Sequence, residues 1–208
     1  MDYQSTRGGE RGVSPSLAIV KGLAADGGLF VPDSIPKLSK SLRELSELSY
    51  QDLAYEMMKL YLTDFTEEEL RFCIRSAYDD KFDCPEIAPV VKDGKFFYLE
   101  LFHGKTLAFK DMALSILPYL LKVSTRKNNI KEKIVILTAT SGDTGKAAME
   151  GFSDVEGTEI IVFYPKDGVS DFQERQMKVQ KGKNTHVAAI LGNFDDAQSG
   201  VKRIFADE

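Results

Sequence analysis

Two short segments carry the residue types from which an active site could be built. The first, residues 103–111 (HGKTLAFKD), places Lys110 at the start of a predicted helix, directly after three apolar residues. The positive end of the helix dipole and the apolar neighbours both disfavour a charged ammonium at this position. Such a lysine is a good amine nucleophile and could form a Schiff base with a carbonyl compound. A surface lysine paired with Asp111 is the plainer interpretation while this segment is considered alone.

The second segment, residues 138–145 (TATSGDTG), follows a predicted buried strand and opens a predicted helix. Its small residues let the backbone approach a ligand closely, and the free N–H groups at the start of a helix bind anions. Ser141 and Thr144 add hydroxyl groups. Ligands collect at the carboxyl edge of a parallel sheet, so this turn predicts a small-anion site. A tight turn with a good helix cap is the alternative.

The sequence GDTGK is similar to part of a nucleotide-binding P-loop, but the neighbouring residues do not match that motif. A P-loop needs glycine five positions before Gly145, where Thr140 stands, and serine or threonine after Lys146, where Ala147 stands. The dinucleotide fingerprint G-x-G-x-x-G is absent as well. Nucleotide binding is therefore the least favoured interpretation, and a carboxylate suits so short a turn better.

Strands and helices alternate in the second half of the chain and must position these residues. Strands are predicted over 134–137, 159–164 and 186–191, and helices over 144–153, 171–180 and 195–206. Ser170 with Gln173 forms a capping box before the second of these helices, and the third turns Ala197, Val201, Ile204 and Phe205 inward. This order predicts an α/β fold, an open parallel sheet with flanking helices, over residues 91–208, incomplete at its C-terminal end.

A small, mainly helical region is predicted over residues 1–90. Apolar residues recur at helical spacing over 51–62. Thr66 and Glu69 form a capping box in front of a second helix, whose apolar positions fall on one face.

A hairpin is predicted with this mainly helical N-terminal region, and an interrupted helix is predicted after it. Residues 90–101 predict the hairpin, with Asp93-Gly94 at its turn. A helix is predicted over 108–123, kinked or shortened by Pro118, because proline cannot donate the helical hydrogen bond. The polar residues 124–133 predict a solvated loop.

Composition excludes several classes of partner. Among 208 residues, 27 are basic and 32 acidic, so a net charge of −5 argues against nucleic acid or an anionic membrane as a partner. The polar N-terminal residues predict no signal peptide, and no 18-residue apolar stretch occurs that would predict a membrane span. Two cysteines and two histidines in no metal-binding pattern predict no metal site, and a cytoplasmic location follows as the default.

Together, the two segments resemble the threonine synthase family, pyridoxal 5′-phosphate enzymes with the tryptophan-synthase-β-like fold (fold type II). Further segments resemble the family in the same order. They are YQSTRG at 3–8, DGGLFVP at 26–32, LELFHG at 99–104, FYPKDGVSDFQ at 163–173 and GNFDDAQ at 192–198. The resemblance therefore covers essentially the whole chain.

The resemblance implies roles for the matching residues. Lys110 matches the lysine that binds pyridoxal phosphate covalently and then moves protons at the α and β carbons of the substrate. Ser141, Gly142 and Thr144 match the turn that embraces the substrate carboxylate. Asp143, in the same turn, is implied to face the pyridine ring of the cofactor.

Other implied roles are less direct. His103 and Phe109 flank the lysine and are expected to shape the cofactor pocket. Asp111 either orients the lysine or caps the helix. Three residues at another strand-to-helix crossing are candidate contacts for the substrate phosphate: Lys166, Ser170 and Gln173.

The implied reaction is the conversion of O-phospho-L-homoserine and water to L-threonine and phosphate, a lyase step of threonine biosynthesis. An electron-accepting cofactor and a lysine that shuttles protons suit this chemistry. A related phospho-lyase that yields a keto acid is one alternative. A non-catalytic scaffold that kept the fold is another, although a scaffold has no use for Lys110.

Two departures from the family pattern stand out. Lys105 occupies the place of the family's proline in HGPTLAFKD. The family's chains are roughly twice as long, and its glycine-rich SGNFGD-like segment, which holds the cofactor phosphate, does not occur in these 208 residues. We therefore expect the 208-residue chain to be an N-terminal fragment that binds the cofactor poorly and is inactive alone. The sequence leaves the oligomeric state open.

Overall fold

The computed structural model describes residues 1–140 and 142–205, which form two compact units. Unit 1 combines Met1–Pro89 with Tyr119–Lys131. Unit 2 combines Val90–Pro118 with the described residues from Glu132 onward. No helix within the described ranges is both long and apolar enough to cross a bilayer.

Unit 1 is mainly helical. Its segment Met1–Pro89 contains β1 (Tyr3–Ser5), α1 (Pro15–Lys21), β2 (Phe30–Pro32), α2 (Leu42–Ser46), α3 (Tyr50–Tyr61) and α4 (Glu67–Ala77). The predicted capping box of α4 is confirmed: the Thr66 hydroxyl accepts from the Glu69 N–H at 3.2 Å, and the Glu69 carboxylate accepts from the Thr66 N–H at 2.9 Å. The apolar face of α4 is buried, and burial raises the pKa of the Cys73 thiol to about 12.

The predicted hairpin is present, with its turn one residue later than expected. Strands β3 (Val90–Asp93) and β4 (Phe96–Leu99) pair antiparallel, with Asp93 opposite Phe96. Gly94 and Lys95 therefore form the turn, and Gly94 has a φ of +58°, which glycine adopts at little cost.

The predicted helix over 108–123 is divided into α5 (Asp111–Leu114) and α6 (Leu117–Lys127). Pro118 is the second residue of α6, where its missing N–H has no helical acceptor in any case. The predicted loop at 124–133 is wrong for its first four residues, because α6 continues to Lys127 and Ser124 is fully buried.

Unit 2 contains the predicted parallel sheet with flanking helices, so the α/β fold class is confirmed. Strands β5 (Ile134–Ala139), β6 (Thr158–Pro165) and β7 (Thr185–Ile190) lie in that order and are parallel. Helices α7 (Asp143–Phe152), α8 (Asp171–Lys178) and α9 (Phe194–Phe205) follow them in turn.

The core of the sheet lies under its central strand. Ile160 and Val162 of β6 are fully buried, as continuous apolar strands in parallel sheets require. The sequence also predicted that β5 is a buried strand. This is wrong, because β5 is an edge strand of the described sheet and Val135 is 47% exposed.

Helix α9 buries only part of its predicted inner face. Ala197 and Val201 are buried, but Ile204 and Phe205 are half exposed, so their predicted inward positions are wrong. Ile204 lines an open groove beside Phe163, and within the described residues nothing covers this last turn of α9.

Candidate active site

The turn between β5 and α7 is built around a glycine. Gly142 is the residue preceding α7, and its φ of +148° lies in the region that side chains rarely adopt. A Cβ at this position would also lie 2.3 Å from the Gln173 Nε2 atom. The backbone can therefore turn this tightly only with glycine at position 142.

Lys110 meets this turn through its side chain. The residue lies just before α5 and is half-buried, and its Nζ atom donates a hydrogen bond to the Thr144 Oγ1 atom at 2.6 Å. The amine also lies 5.2 Å from the centroid of the Phe109 ring, which is itself largely exposed. The two segments that the sequence marks for chemistry therefore come together in unit 2.

Asp111 organises the loop that carries Lys110. Asp111 is 5% exposed, and its carboxylate accepts hydrogen bonds from the Thr106 N–H at 2.7 Å and the Thr106 hydroxyl at 2.6 Å. A Cβ at Gly104 would lie 2.5 Å from this carboxylate. Asp111 therefore fixes the loop backbone, and its side chain does not pair with the Lys110 amine in the manner of a surface ion pair.

The Gln173 amide connects the starts of α7 and α8. Its Nε2 atom donates to the Asp143 Oδ1 atom at 3.1 Å. Its carbonyl oxygen accepts from the Ser170 N–H at 3.2 Å, and the Ser170 hydroxyl accepts from the Gln173 N–H, which confirms the predicted capping box. Asp143 and Gln173 are thus adjacent at the turn, while the Ser170 hydroxyl is engaged in capping α8.

Lys166 lies at the end of β6 and is exposed. Its positive charge makes a small contribution to lowering the pKa of Glu174, after the hydrogen bonds from Lys178 and Tyr164. A role for Lys166 at the substrate phosphate stays a prediction.

His103 lies at the start of the segment 103–111 that carries Lys110, and it contacts two neighbouring residues. Its Nε2 atom lies 2.9 Å from the Glu100 Oε2 atom, and its ring lies 4.6 Å from the Phe102 ring, centroid to centroid. Its proposed part in shaping the pocket stays a prediction. Ser141, the remaining predicted residue of the turn, lies outside the described residues.

Helices α5 and α7 touch where α7 has a glycine. A Cβ at Gly151 would lie 2.4 Å from the backbone oxygen of Leu114, the last residue of α5. This close approach brings α5, and with it Lys110, against the helix that carries Thr144.

Comparison with known proteins relates the whole chain to one family. Residues 2–78 match the family model described as "Threonine synthase N terminus". The threonine synthases of Eremothecium gossypii and Pseudomonas aeruginosa are each 39% identical to the chain, over 99% and 100% of its length. The chain belongs to the threonine synthase family.

Solved structures of the threonine synthase family share the fold. A structure titled as PLP-bound threonine synthase from Brucella melitensis superposes with a TM-score of 0.87 at 36% identity. The yeast threonine synthase structure gives 0.88 at 35% identity. Both matches cover 100% of this chain.

The chain spans less than half of the threonine synthases it matches. It covers 43% of the Eremothecium protein, 44% of the Pseudomonas protein and 45% of the Brucella structure. Human "Threonine synthase-like 1" is 38% identical over 92% of the chain, which covers 27% of that protein.

The departure from the family's proline has a structural counterpart. The Lys105 Nζ atom lies 3.6 Å from the Glu150 Oε1 atom of α7, and Lys146 approaches the same carboxylate at 3.7 Å. Lys105 is 53% exposed, so water screens this pair and its contribution to stability is small. Lys105 is therefore accommodated at the surface, where its amine approaches α7.

Gly151→Ala should destabilise the chain by about 1–3 kcal/mol, since the added Cβ forces α5 away from α7. Alanine ordinarily stabilises a helix interior relative to glycine by about 0.5–1 kcal/mol. Gly200→Ala in α9 is the matched control, because a Cβ there meets open space and should stabilise. Urea unfolding of both variants measures whether each substitution raises or lowers the free energy of unfolding. A stabilised Gly151→Ala variant would contradict the close approach of the helices.

Proposed function

We propose that this chain supplies the cofactor-binding lysine and the substrate-binding turn of a threonine synthase. Such an enzyme is a pyridoxal-phosphate-dependent lyase that converts O-phospho-L-homoserine and water to L-threonine and phosphate. The observation that carries the proposal is the 2.6 Å hydrogen bond from Lys110 to Thr144, which joins side chains 34 positions apart in the sequence.

The groups around this bond fit pyridoxal phosphate. An aldehyde requires an amine, which Lys110 provides, and an aromatic ring requires an apolar neighbour such as Phe109. Among the described residues, no acceptor pairs with the backbone N–H groups of Asp143 and Thr144, so both can donate to ligand oxygens. When bound, pyridoxal phosphate would supply an electron-accepting ring that makes protons on the substrate's α-carbon removable.

Each residue of the site then has a defined task. Lys110 would bind the aldehyde carbon through its Nζ atom and, once the substrate amine takes that place, move protons at the α and β carbons. Thr144 would hold the Lys110 amine, and the turn that it forms with Ser141 and Gly142 would surround the substrate carboxylate. Asp143 would face the cofactor ring.

We also propose roles for residues around the contact between Lys110 and Thr144. We assign the contacts to the leaving phosphate to Lys166 and Gln173, with Ser170 beside them, because a dianionic leaving group needs positive charge or N–H donors. His103 and Phe109 would shape the cofactor pocket. Residues 1–90 would form the family's N-terminal domain and residues 91–208 the first part of its catalytic domain. A cytoplasmic location stays a prediction.

One alternative is a threonine-synthase-like phospho-lyase that releases phosphate and yields a keto acid. Product analysis of the natural protein that carries this chain separates the two functions. With O-phospho-L-homoserine as substrate, we expect threonine and phosphate in equal amounts. Phosphate with a keto acid would favour the phospho-lyase, and neither product would favour the scaffold.

The 208-residue chain alone should release no phosphate above the uncatalysed rate. Its residues supply the amine and the turn, but its sequence lacks the family's glycine-rich segment for the cofactor phosphate. A phosphate-release assay on the purified chain, with pyridoxal phosphate added and the natural protein as the positive control, measures this. Turnover by the chain alone at the natural protein's rate would overturn its assignment as an inactive fragment.

A further inference from the structure

Thr140 is a buried polar residue at the start of the candidate site. It directly follows β5 and is 1% exposed. Its backbone N–H donates to the Phe163 carbonyl of β6 at 2.9 Å, so its backbone is held by the sheet. Neither the nucleotide-loop comparison nor the family resemblance gave this residue a role.

The Thr140 hydroxyl is fully used within the turn. Its Oγ1 atom accepts from the N–H groups of Gly142 and Gly145, both at 3.0 Å, and it donates to the Gly142 carbonyl at 3.1 Å. Two accepted bonds and one donated bond exhaust the capacity of a hydroxyl group. Gly145 is the third residue of α7, so this hydroxyl does what the side chain of a helix cap usually does. Gly142, which precedes the helix, has no side chain for that task.

The methyl group of Thr140 packs on the same turn. A Cβ at Gly145 would lie 2.6 Å from the Thr140 Cγ2 atom and 2.7 Å from the Val162 Cγ1 atom. The first turn of α7 therefore rests directly on Thr140 and on the central strand, with no room for a side chain at position 145.

We propose that Thr140 is a positioning residue of this site. By taking the N–H groups of Gly142 and Gly145, it leaves those of Asp143 and Thr144 as the donors for a ligand carboxylate. By fixing the first turn of α7 on the sheet, it holds the Thr144 hydroxyl where the Lys110 amine reaches it. This inference rests on the proposed function and assigns to that site a residue which touches neither substrate nor cofactor.

Two matched pairs of side chains at position 140 isolate the hydroxyl. Thr140 and Thr140→Val differ by the hydroxyl in a side chain of the same shape. Thr140→Ser and Thr140→Ala both lack the methyl group and differ only by the hydroxyl. This pair gives the same comparison if the valine variant does not fold. In the natural protein, we expect loss of the hydroxyl to raise the KM for O-phospho-L-homoserine by about tenfold or more, while serine rescues.

A second readout does not depend on turnover. Amide hydrogen exchange at Gly145 should become about tenfold faster in the valine variant and stay near the wild-type rate in the serine variant. Labelling of Lys110 by pyridoxal phosphate and borohydride should fall in parallel. If the natural protein makes no threonine, the proposed function fails, but amide exchange and labelling still test Thr140.

Thr158→Val is the control for a purely structural effect. Thr158 is the first residue of β6, at the amino ends of the parallel strands, and is 6% exposed. Its hydroxyl donates to the Val155 carbonyl and accepts from Asn184. This variant should lower the unfolding midpoint and leave KM and Lys110 labelling unchanged. If Thr140→Val behaves in the same way, or if serine fails to rescue, the positioning role is overturned.

Discussion

Lys110→Arg should reduce threonine formation by the natural protein by at least about 10²-fold, the usual contribution of a positioned acid–base group. Arginine keeps the positive charge and can still donate to the Thr144 hydroxyl. It cannot act as a nucleophilic amine or take up a proton near neutral pH, because a guanidinium stays protonated in proteins. The turnover number, measured with saturating substrate and cofactor, tests this expectation.

The control for this experiment is a lysine on the same loop. Lys105→Arg keeps the charge opposite Glu150 and should change turnover by no more than about twofold, as is usual for a surface substitution. If Lys110→Arg keeps most of the wild-type turnover, the amine has no part in the chemistry. In that case the contact with Thr144 is only structural.

Phe152→Ala should destabilise the chain by about 3–5 kcal/mol, the cost of deleting a large buried aromatic side chain. Phe152 is the last residue of α7 and is fully buried. Because α7 also carries Thr144, this cavity loosens the helix on which the turn depends. Urea unfolding measures the loss as a lower midpoint with an unchanged slope.

Phe172→Ala is the matched control for that measurement. Phe172 lies on α8 and is 71% exposed, so its removal should change the free energy of unfolding by about 0.5 kcal/mol or less. Equal effects of the two variants would show that Phe152 is not part of the core of unit 2.

Local chemistry made much of the fold predictable. The capping boxes at Thr66 and Ser170 place hydroxyl and carboxyl or amide groups at fixed spacing, so the starts of α4 and α8 follow from three or four residues. The alternation of apolar strands and helices likewise led to the parallel sheet. Both segments marked for chemistry lie in unit 2, where Lys110 contacts Thr144.

Features that depend on distant residues were not predictable in the same way. The exposure of Ile204 depends on where the described sheet ends, and a helical pattern holds no information about that edge. The pairing of β1 with β2 joins three-residue segments, which are too short to show an alternating pattern. The burial of Ser124 on the extended α6 depends on tertiary packing, because serine itself favours loops and caps.

The role of the Thr140 hydroxyl in the turn was not predictable from the sequence motif. In the sequence, this residue only excluded a P-loop, because it stands where that motif requires glycine. In the structure, its hydroxyl satisfies two N–H groups of the turn. Small polar residues bond to backbone groups within a few positions, but the folded turn decides which groups they reach.

The central claim is that the amine of Lys110 is the one that receives pyridoxal phosphate at this turn. The most direct test adds pyridoxal phosphate to the natural protein, reduces the mixture with borohydride and locates the modified lysine by peptide mass spectrometry. We predict that the pyridoxyl group is found on Lys110. A pyridoxyl group on another lysine, such as Lys105 or Lys166, with Lys110 unmodified, would contradict the account.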